Sequence, residues 1–165
     1  MANNLANITK NAMDIASQLT SACNGKNDPR YKIVHNQCLY FSGTFLSFES
    51  ARAECNAKGG ILYEPQDVEK MKEVATIADD YHGGNFWVWI GITDIDTEGT
   101  YVYDSNGSSL NFTPTWITSY GQCGTGCNCI CTPTKNADHG KLAEVNCSGK
   151  RSSICQLPSK FLHEN

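Results

Sequence analysis

The strongest constraint on the fold lies in residues 86–116, where short apolar and aromatic runs alternate with polar turns. Residues 87–92 form a continuous apolar run that ends in an acidic turn at 93–99. An aromatic alternation, Tyr101-Val102-Tyr103, and an Asp-Ser-Asn-Gly turn follow. Aromatic and β-branched residues bounded by Asn, Asp and Gly are typical of strands joined by turns. The segment therefore predicts short strands on either side of a tight acidic turn.

The order of these pieces resembles the middle of a C-type lectin-like domain, with its Trp-Ile-Gly strand, its acidic turn ending in Glu-Gly and its paired-aromatic strand. Further landmarks occur in the family's order at residues 38–41, 48–55, 59–62 and 153–156. The resemblance spans residues 31–157 and implies an α+β fold with two helices, antiparallel sheets and a long loop region. It says less about function, because function depends on sites and not on folds.

Chain length and net charge limit the number of domains and the classes of partner that this chain can have. A chain of 165 residues accommodates one domain of about 130 residues and an N-terminal extension. We therefore predict an amphipathic helix at 1–24 and the lectin-like domain at 25–165. A formal net charge of −4 without a basic run argues against a nucleic-acid partner. No apolar stretch approaches the ~20 residues that span a membrane. No histidine lies in a recognisable nucleophile motif, so we expect no enzyme.

Nine cysteines indicate an oxidising compartment, so we expect a secreted, extracellular chain. The first residues lack the apolar core of a signal peptide, and we expect a mature form with Met1 supplied by expression. Asn-x-Ser/Thr triplets, the acceptor sequence for N-glycans, add to this interpretation. They begin at Asn7, Asn106, Asn111 and Asn146.

The resemblance also implies disulfides. Cys55 on the first helix of the domain is expected to pair with Cys155 on the last strand. Cys38 is expected to pair with an upstream cysteine, for which Cys23 is the candidate. Cys147 pairs with an upstream cysteine in the family. Because Asn-Cys-Ile matches the family pattern at 128–130, Cys129 is the first choice.

The remaining cysteines are Cys123, Cys127 and Cys131, with Cys131 the second choice for Cys147. Three cysteines cannot pair off within one chain, so one is either free or links two chains. Together with Cys129 and His139, these three cysteines also fit a soft-metal site. Thiolate ligands need a reducing setting, which makes an extra disulfide the simpler interpretation.

The N-terminal extension has the pattern of a coiled-coil seam. Apolar residues recur at spacings of three and four, which is the a/d pattern of a left-handed coiled coil. They are Leu5, Ile8, Ala12, Ile15, Leu19 and Ala22. Fewer than three heptads is marginal alone. The segment therefore indicates either a homo-oligomer or a single helix lying on its own domain.

The usual calcium-dependent sugar site is not matched. Sugar-binding members draw calcium ligands from a Glu-Pro-Asn or Gln-Pro-Asp loop, a later Glu and a Trp-Asn-Asp strand. Those positions fall here on residues 120–122 (Tyr-Gly-Gln), on Cys127 and on residues 142–144 (Leu-Ala-Glu). Only Glu144 keeps a carboxylate and Gln122 offers one amide oxygen, whereas calcium takes six to eight oxygen ligands.

Two other sets of residues could supply calcium ligands. A shifted register would combine Asp138 and Asn136 with Glu144, although residues 132–140 also read as a polar turn. The family's second calcium position would use Asp94 and Glu98 from the acidic turn, with Asn128 in place of a third acid. Acids in such a turn also cap backbone amides, which is the simpler interpretation.

The sequence thus predicts a secreted recognition module whose binding surface is the long loop region, residues 117–141. Glycan or glycoprotein binding through a non-standard, calcium-independent site is the first hypothesis. A protein or solid surface such as ice or mineral is the second. The candidate contact residues are Tyr120, Gln122, Asp138, Lys141 and Glu144. Multimers joined through the helix, or by a disulfide, would raise the avidity of weak single sites.

Overall fold

A computed structural model of the chain describes residues 2–24, 27–82, 86–117 and 125–158. The helices are α1 (Ala2–Asn24), α2 (Phe48–Ala57) and α3 (Val68–His82), with one 3-10 turn at Asn136–Asp138. The strands are β1 (Tyr31–Val34), β2 (Gln37–Phe41), β3 (Ile61–Leu62), β4 (Trp87–Thr93), β5 (Val102–Tyr103), β6 (Cys129–Pro133), β7 (Ala143–Val145) and β8 (Ser152–Gln156).

The strands form one mixed sheet in the order β1-β2-β8-β4-β6-β7, with β3 paired to β8 and β5 paired to β4. The β4–β8 pairing is parallel and the others are antiparallel. With two domain helices and a separate N-terminal helix, this is the predicted C-type lectin-like α+β architecture. The expected fold class is therefore confirmed.

Strand β4 lies in the middle of the sheet, which explains its continuous apolar sequence. Val88, Ile90 and Ile92 pack into a core that includes the inner face of α3. Trp89 points to the other side and packs against the inner face of α2. Because successive side chains of a strand point to opposite faces, both faces of β4 are buried. The apolar run therefore follows from having a core on each side.

The predicted disulfides are present. Cys55 is bonded to Cys155 across 100 residues of sequence, and Cys23 is bonded to Cys38. The Cys129–Cys147 bond joins β6 to the segment after β7, so the first choice for Cys147 is also confirmed. These three bonds tie α1, α2 and the long loop region to the sheet.

Helix α1 (Ala2–Asn24) projects apolar side chains into solvent. Leu5 and Ile8 are 68% and 64% exposed, whereas Cys23 at the other end is buried in its disulfide. The side chains of residues 15–22, which complete the predicted seam, lie outside the described ones. Across the described residues, no helix has both the length and the apolar character needed to cross a bilayer.

Candidate metal centre

The acidic turn begins where β4 ends, and its backbone is held by Asp94. The Asp94 Oδ2 atom accepts a hydrogen bond of 2.8 Å from the Gly99 N–H. Gly99 has a φ of +79°, a conformation that glycine adopts without strain. The Asp94 N–H in turn donates to the Asn128 carbonyl at 3.3 Å. The turn is thereby fixed against the start of β6, and the predicted amide-capping role of Asp94 is confirmed.

Three carboxylates meet at this turn. One oxygen from each of Asp94, Glu98 and Glu144 lies within 4.8 Å of the others. Glu144 comes from β7, opposite Ile130 on β6. Asp94 and Glu144 are each 1% exposed, whereas Glu98 is exposed. We call these three side chains the carboxylate cluster.

Two buried oxygens of residues at the acidic turn accept no hydrogen bond from an N–H or hydroxyl donor of the described residues. They are Asp94 Oδ1 and Asn128 Oδ1, although the carboxyl group of Glu144, when protonated, shares a hydrogen bond with Asp94. An unsatisfied buried acceptor costs about 1–3 kcal/mol, so native proteins retain few of them. Carboxylate and amide oxygens are the ligands that calcium prefers. The donor set therefore fits a calcium ion, with Glu98 facing the solvent from which water ligands would come.

The carboxylates of the cluster lie so close together that their negative charges repel one another. Burial, followed by the negative charge of Asp94, raises the pKa of Glu144 to about 7. The Tyr101 hydroxyl donates to Glu144 Oε2 at 3.3 Å, which opposes this shift. Without a cation, Glu144 is therefore largely protonated below neutral pH. A divalent cation bound between these carboxylates would offset the repulsion between their negative charges.

Tyr101 also connects the cluster to the base of the long loop region. Its ring lies 4.7 Å from that of Trp116, centroid to centroid. Trp116 forms a bridge with Leu142, and the Ile117 N–H donates to the Leu142 carbonyl at 3.0 Å. The cluster thus lies beside the segments that lead into and out of the long loop.

The predicted ligand contacts are not gathered on one described surface. Tyr120 and Gln122 lie outside the described residues, as does the side chain of Asn136. Asp138 pairs with Lys141 at 3.1 Å. Glu144 is buried in the carboxylate cluster, so its side chain faces Asp94 and not the surface. Asp138 is not a member of the group of carboxylates formed by Asp94, Glu98 and Glu144.

In the described part of the chain, the cysteines of the predicted soft-metal cluster do not form a metal site. Cys127 and Cys129 are both in disulfides, which leaves them without thiolates. Cys123 lies outside the described residues, and Cys131 is free but completely buried. His139 is hydrogen-bonded to Thr76 and to the Thr134 carbonyl instead. The buried position of Cys131 also prevents it from linking two chains.

Sequence reasoning missed the contact of Glu144 and Tyr101 with the acidic turn. It assigned Asp94, Glu98 and Asn128 to one calcium position and Glu144 to another. The structure brings Glu144 to the first position through the β6–β7 pairing. An available signal was the identity of residue 144, because Glu is one methylene longer than the Asp of the family motif.

Comparison with known proteins agrees with this architecture. Residues 44–157 match the family model described as the lectin C-type domain. A tetranectin-like protein of Carcharhinus perezii is 29% identical over 123 residues, which cover 74% of this chain and 72% of that protein. Human C-type lectin domain family 3 member A is 28% identical over 124 residues, covering 75% of this chain but 61% of that protein.

Solved structures with the same fold are more distant in sequence. The mouse scavenger receptor C-type lectin carbohydrate-recognition domain aligns with a TM-score of 0.64 at 22% identity, over 78% of this chain and 93% of that one. A calcium-independent type II antifreeze protein also reaches 0.64, at 19% identity over 78% and 92%. The family model covers well over half of the sequence, and the fold and three disulfides agree with it. The chain therefore belongs to the C-type lectin domain family.

Proposed function

We propose that this chain is a secreted recognition module that binds calcium at the carboxylate cluster and carbohydrate on the adjoining long loop region. The observation that carries the calcium proposal is the meeting of three carboxylate oxygens within 4.8 Å, two of them on buried side chains. The unsatisfied oxygens of Asp94 and Asn128 support it, because they are costly in a cation-free protein.

Asp94, Glu98 and Glu144 would hold the ion, with the amide oxygen of Asn128 beside them. The positive charge would neutralise the buried carboxylates and fasten the acidic turn to β6 and β7. Residues 120–122 and 142–143 lack the carboxylates of the usual sugar site, so the sugar is not expected to coordinate this ion. The sugar contacts would fall to Tyr120, Gln122 and Lys141, as the sequence predicts.

Family membership supports carbohydrate as the ligand class. The structural neighbour from mouse is named as a carbohydrate-recognition domain, but its 22% identity establishes the fold alone. The solved structures that share the fold of this chain include an antifreeze protein. Recognition of a solid surface or of a protein is therefore the competing hypothesis. The family model that matches is that of a lectin domain, which supports a binding role.

Two measurements test the proposal together. Thermal unfolding with increasing calcium should show a rise in the melting temperature, because a ligand that binds only the folded state stabilises it. A broad glycan panel, probed with calcium and with EDTA, should identify the saccharide. Asp94→Asn should abolish the calcium response, since it removes a buried carboxylate from the cluster. Asp96→Asn, an exposed acid of the same turn, is the matched control.

The outcomes separate the two parts of the proposal. Absence of any calcium-dependent shift at millimolar calcium would refute the metal centre. Glycan binding that survives EDTA would support a sugar site that does not coordinate the ion. Failure to bind any glycan in either condition would refute the carbohydrate and favour a protein or solid surface as the partner.

We further propose that α1 joins copies of the chain. Leu5 and Ile8, which occupy the predicted seam, are mostly exposed along a helix of about 35 Å. Light scattering on a sizing column should show a multimer that Ile8→Ser dissociates, whereas the exposed Lys10→Gln should leave it intact. A monomeric parent chain would refute the oligomer.

A further inference from the structure

The asparagines of all four Asn-x-Ser/Thr triplets lie in parts of the chain that the structure describes, so their surroundings can be compared. Asn7 is on α1, Asn106 and Asn111 follow β5, and Asn146 follows β7. An N-glycan is attached through the side-chain nitrogen, Nδ2, and is a bulky polar group that must extend into solvent. A position suited to a glycan therefore has an exposed Nδ2 that the fold does not use.

Asn106 lies at the tip of a hairpin turn that continues from β5. The Tyr103 N–H donates to the Ser108 carbonyl at 2.9 Å, and the Gly107 N–H donates to the Tyr103 carbonyl at 2.8 Å. Gly107 has a φ of +71°, which glycine adopts without strain in such turns. A Cβ placed on Gly107 would meet no atom of the described residues within 4 Å. The tip of the turn thus points into open space.

The two residues before Asn106 hold the base of the turn to the domain. Asp104 accepts a hydrogen bond of 2.8 Å from Nε of Arg52 on α2. Ser105 donates two hydrogen bonds of 2.8 Å, from its N–H and its hydroxyl, to the buried carboxylate of Glu64. Asn106 is the exposed residue that follows these anchored ones. A glycan at Asn106 would therefore leave the anchoring contacts in place.

The side chain of Asn106 uses its oxygen and leaves its nitrogen available. Asn106 Oδ1 accepts a hydrogen bond of 2.9 Å from the Ser108 N–H, which forms an Asx turn. Among the described residues, Nδ2 of Asn106 donates no hydrogen bond. Attachment of a sugar to this nitrogen would therefore break no contact of the fold.

The amide nitrogen of Asn111, in contrast, is engaged. Asn111 Nδ2 donates a short hydrogen bond to Gln66 Oε1, and its N–H donates to the Tyr103 hydroxyl at 3.2 Å. The residues on either side, Leu110 and Phe112, pack against the core. A glycan on Asn111 would break the contact with Gln66 beside this packed segment.

The triplet at Asn146 is cross-linked at its centre. Cys147 is bonded to Cys129 on β6, 18 residues earlier in the sequence. Asn146 Oδ1 accepts hydrogen bonds from both the N–H and the hydroxyl of Ser148, at 2.9 and 2.7 Å. Closure of the disulfide fixes the triplet against the sheet, so that glycan transfer to Asn146 competes with formation of the bond.

The triplet at Asn7 lies within α1. The Thr9 hydroxyl is already used, because it donates to the Leu5 carbonyl at 2.9 Å. The middle residue, Ile8, is a seam position of the proposed oligomer, so a glycan on Asn7 would lie next to that seam. Of the four asparagines, Asn106 alone combines an exposed tip, an unused nitrogen and a triplet without a cross-link.

We propose that Asn106 is the N-glycosylation site of this chain. In the transfer step, Nδ2 of Asn106 forms a bond to the anomeric carbon of an oligosaccharide carried on a lipid diphosphate. The bond from that carbon to the diphosphate oxygen breaks, the diphosphate leaves with the electron pair, and Nδ2 gives up one proton. The step involves no oxidation or reduction. The inference rests on the proposed secretion, because this modification is made on chains that enter the secretory pathway.

Mapping of glycosylated positions on the full chain tests this inference. The chain is produced in cultured mammalian cells behind a cleavable signal peptide and is recovered from both the medium and the cells. Peptide N-glycosidase in heavy-oxygen water converts each glycosylated Asn to a labelled Asp, which mass spectrometry locates. A digest without the enzyme corrects for spontaneous conversion of Asn106 beside Gly107. We expect label at Asn106 in most molecules and little at the other three positions.

Two variants remove the triplet in different ways. Asn106→Gln should abolish the change in gel mobility that the glycosidase causes, and Ser108→Ala should abolish it while keeping Asn106. Asn111→Gln is the matched control and should keep the full change. Unlabelled Asn106 in the parent chain would overturn the proposal. Stronger labelling of Asn7, Asn111 or Asn146 would overturn it as well.

The design separates failure of this site from failure of the proposed function. Absence of the chain from the medium would count against secretion, whereas the chain recovered from the cells still reports whether Asn106 is glycosylated. The parent and Asn106→Gln should show the same rise in melting temperature with calcium, because the turn lies outside the carboxylate cluster. A lost calcium response in Asn106→Gln would overturn the proposal, since the fold would then need the side chain of Asn106.

Discussion

Replacing Glu144 by Gln should stabilise the calcium-free protein and at the same time remove its response to calcium. Gln has the shape of the protonated acid but never carries its negative charge. It also retains an oxygen that accepts the hydrogen bond from Tyr101, which lies 3.3 Å away in the parent chain. The substitution therefore removes the repulsion from Asp94 and Glu98 with little change in packing.

The magnitude follows from the shift of the Glu144 pKa from 4.5 to about 7. The folded protein holds a proton there that the unfolded chain releases, so the parent loses stability as the pH rises from about 4.5 to about 7. At pH 8 this loss is about 3 kcal/mol, since each unit of pKa corresponds to about 1.4 kcal/mol. Glu144→Gln should therefore match the parent at pH 4 and exceed it by up to that amount at pH 8.

Calcium should reverse the order of the two proteins. At a concentration about 1,000-fold above its dissociation constant, the ion adds about 4.1 kcal/mol to the free energy of unfolding of the parent, which exceeds the loss of about 3 kcal/mol at pH 8. Glu144→Gln has lost one carboxylate ligand and should gain much less. Urea unfolding at pH 4 and pH 8, each with EDTA and with calcium, measures all the free energies of unfolding. Glu64→Gln is the matched control, because Glu64 is a buried carboxylate whose partner is Ser105.

A different result would refute this reasoning. If Glu144→Gln lowered the stability at pH 8 in EDTA, the carboxylate would be a stabilising structural group and not a repelled one. If Glu144→Gln and Glu64→Gln reduced the calcium response equally, that response would not come from the carboxylate cluster.

Three further predictions concern the core and the cross-links. Burial raises the pKa of the Cys131 thiol to about 12, so iodoacetamide at pH 8 should modify it only after unfolding, as measured by mass spectrometry. Gly91→Ala should cost about 1–3 kcal/mol in urea unfolding, because a Cβ there would lie 2.8 Å from a backbone oxygen of β3, whereas Gly126→Ala meets nothing within 4 Å. Replacing Cys55 and Cys155 by Ala should lower stability by up to about 4–5 kcal/mol, which calorimetry would detect.

Much of the fold was predictable because its landmarks are local. The apolar run of β4 and the aromatic alternation around β5 both identify strands from adjacent residues. The cysteine positions added long-range constraints, and the Cys55–Cys155 and Cys129–Cys147 bonds formed as the resemblance implied. The free thiol of Cys131 was not predictable, because only burial within β6 distinguishes it from its neighbours.

The candidate site was only half predictable. Asp94 and Glu98 lie four residues apart in one turn, so their proximity follows from the sequence. Glu144 lies far along the chain, and its approach depends on the pairing of β6 with β7 and on the depth at which its side chain is buried. Neither the spacing of the motif nor the composition contains that information.

The position of Glu144 favours a cation over a purely structural explanation of the cluster. Three carboxylates and unsatisfied buried oxygens in one place lower the stability of the empty protein, and hydrogen bonds from Gly99 and Tyr101 offset only part of this. Local features that disfavour folding usually occur at functional sites, where the function requires those features. A cation converts each of these unfavourable features into a favourable one, because the oxygens that repel one another become its ligands. An apolar residue at 144 would satisfy the fold alone, whereas a buried glutamate beside Asp94 has a physical role when positive charge is bound there.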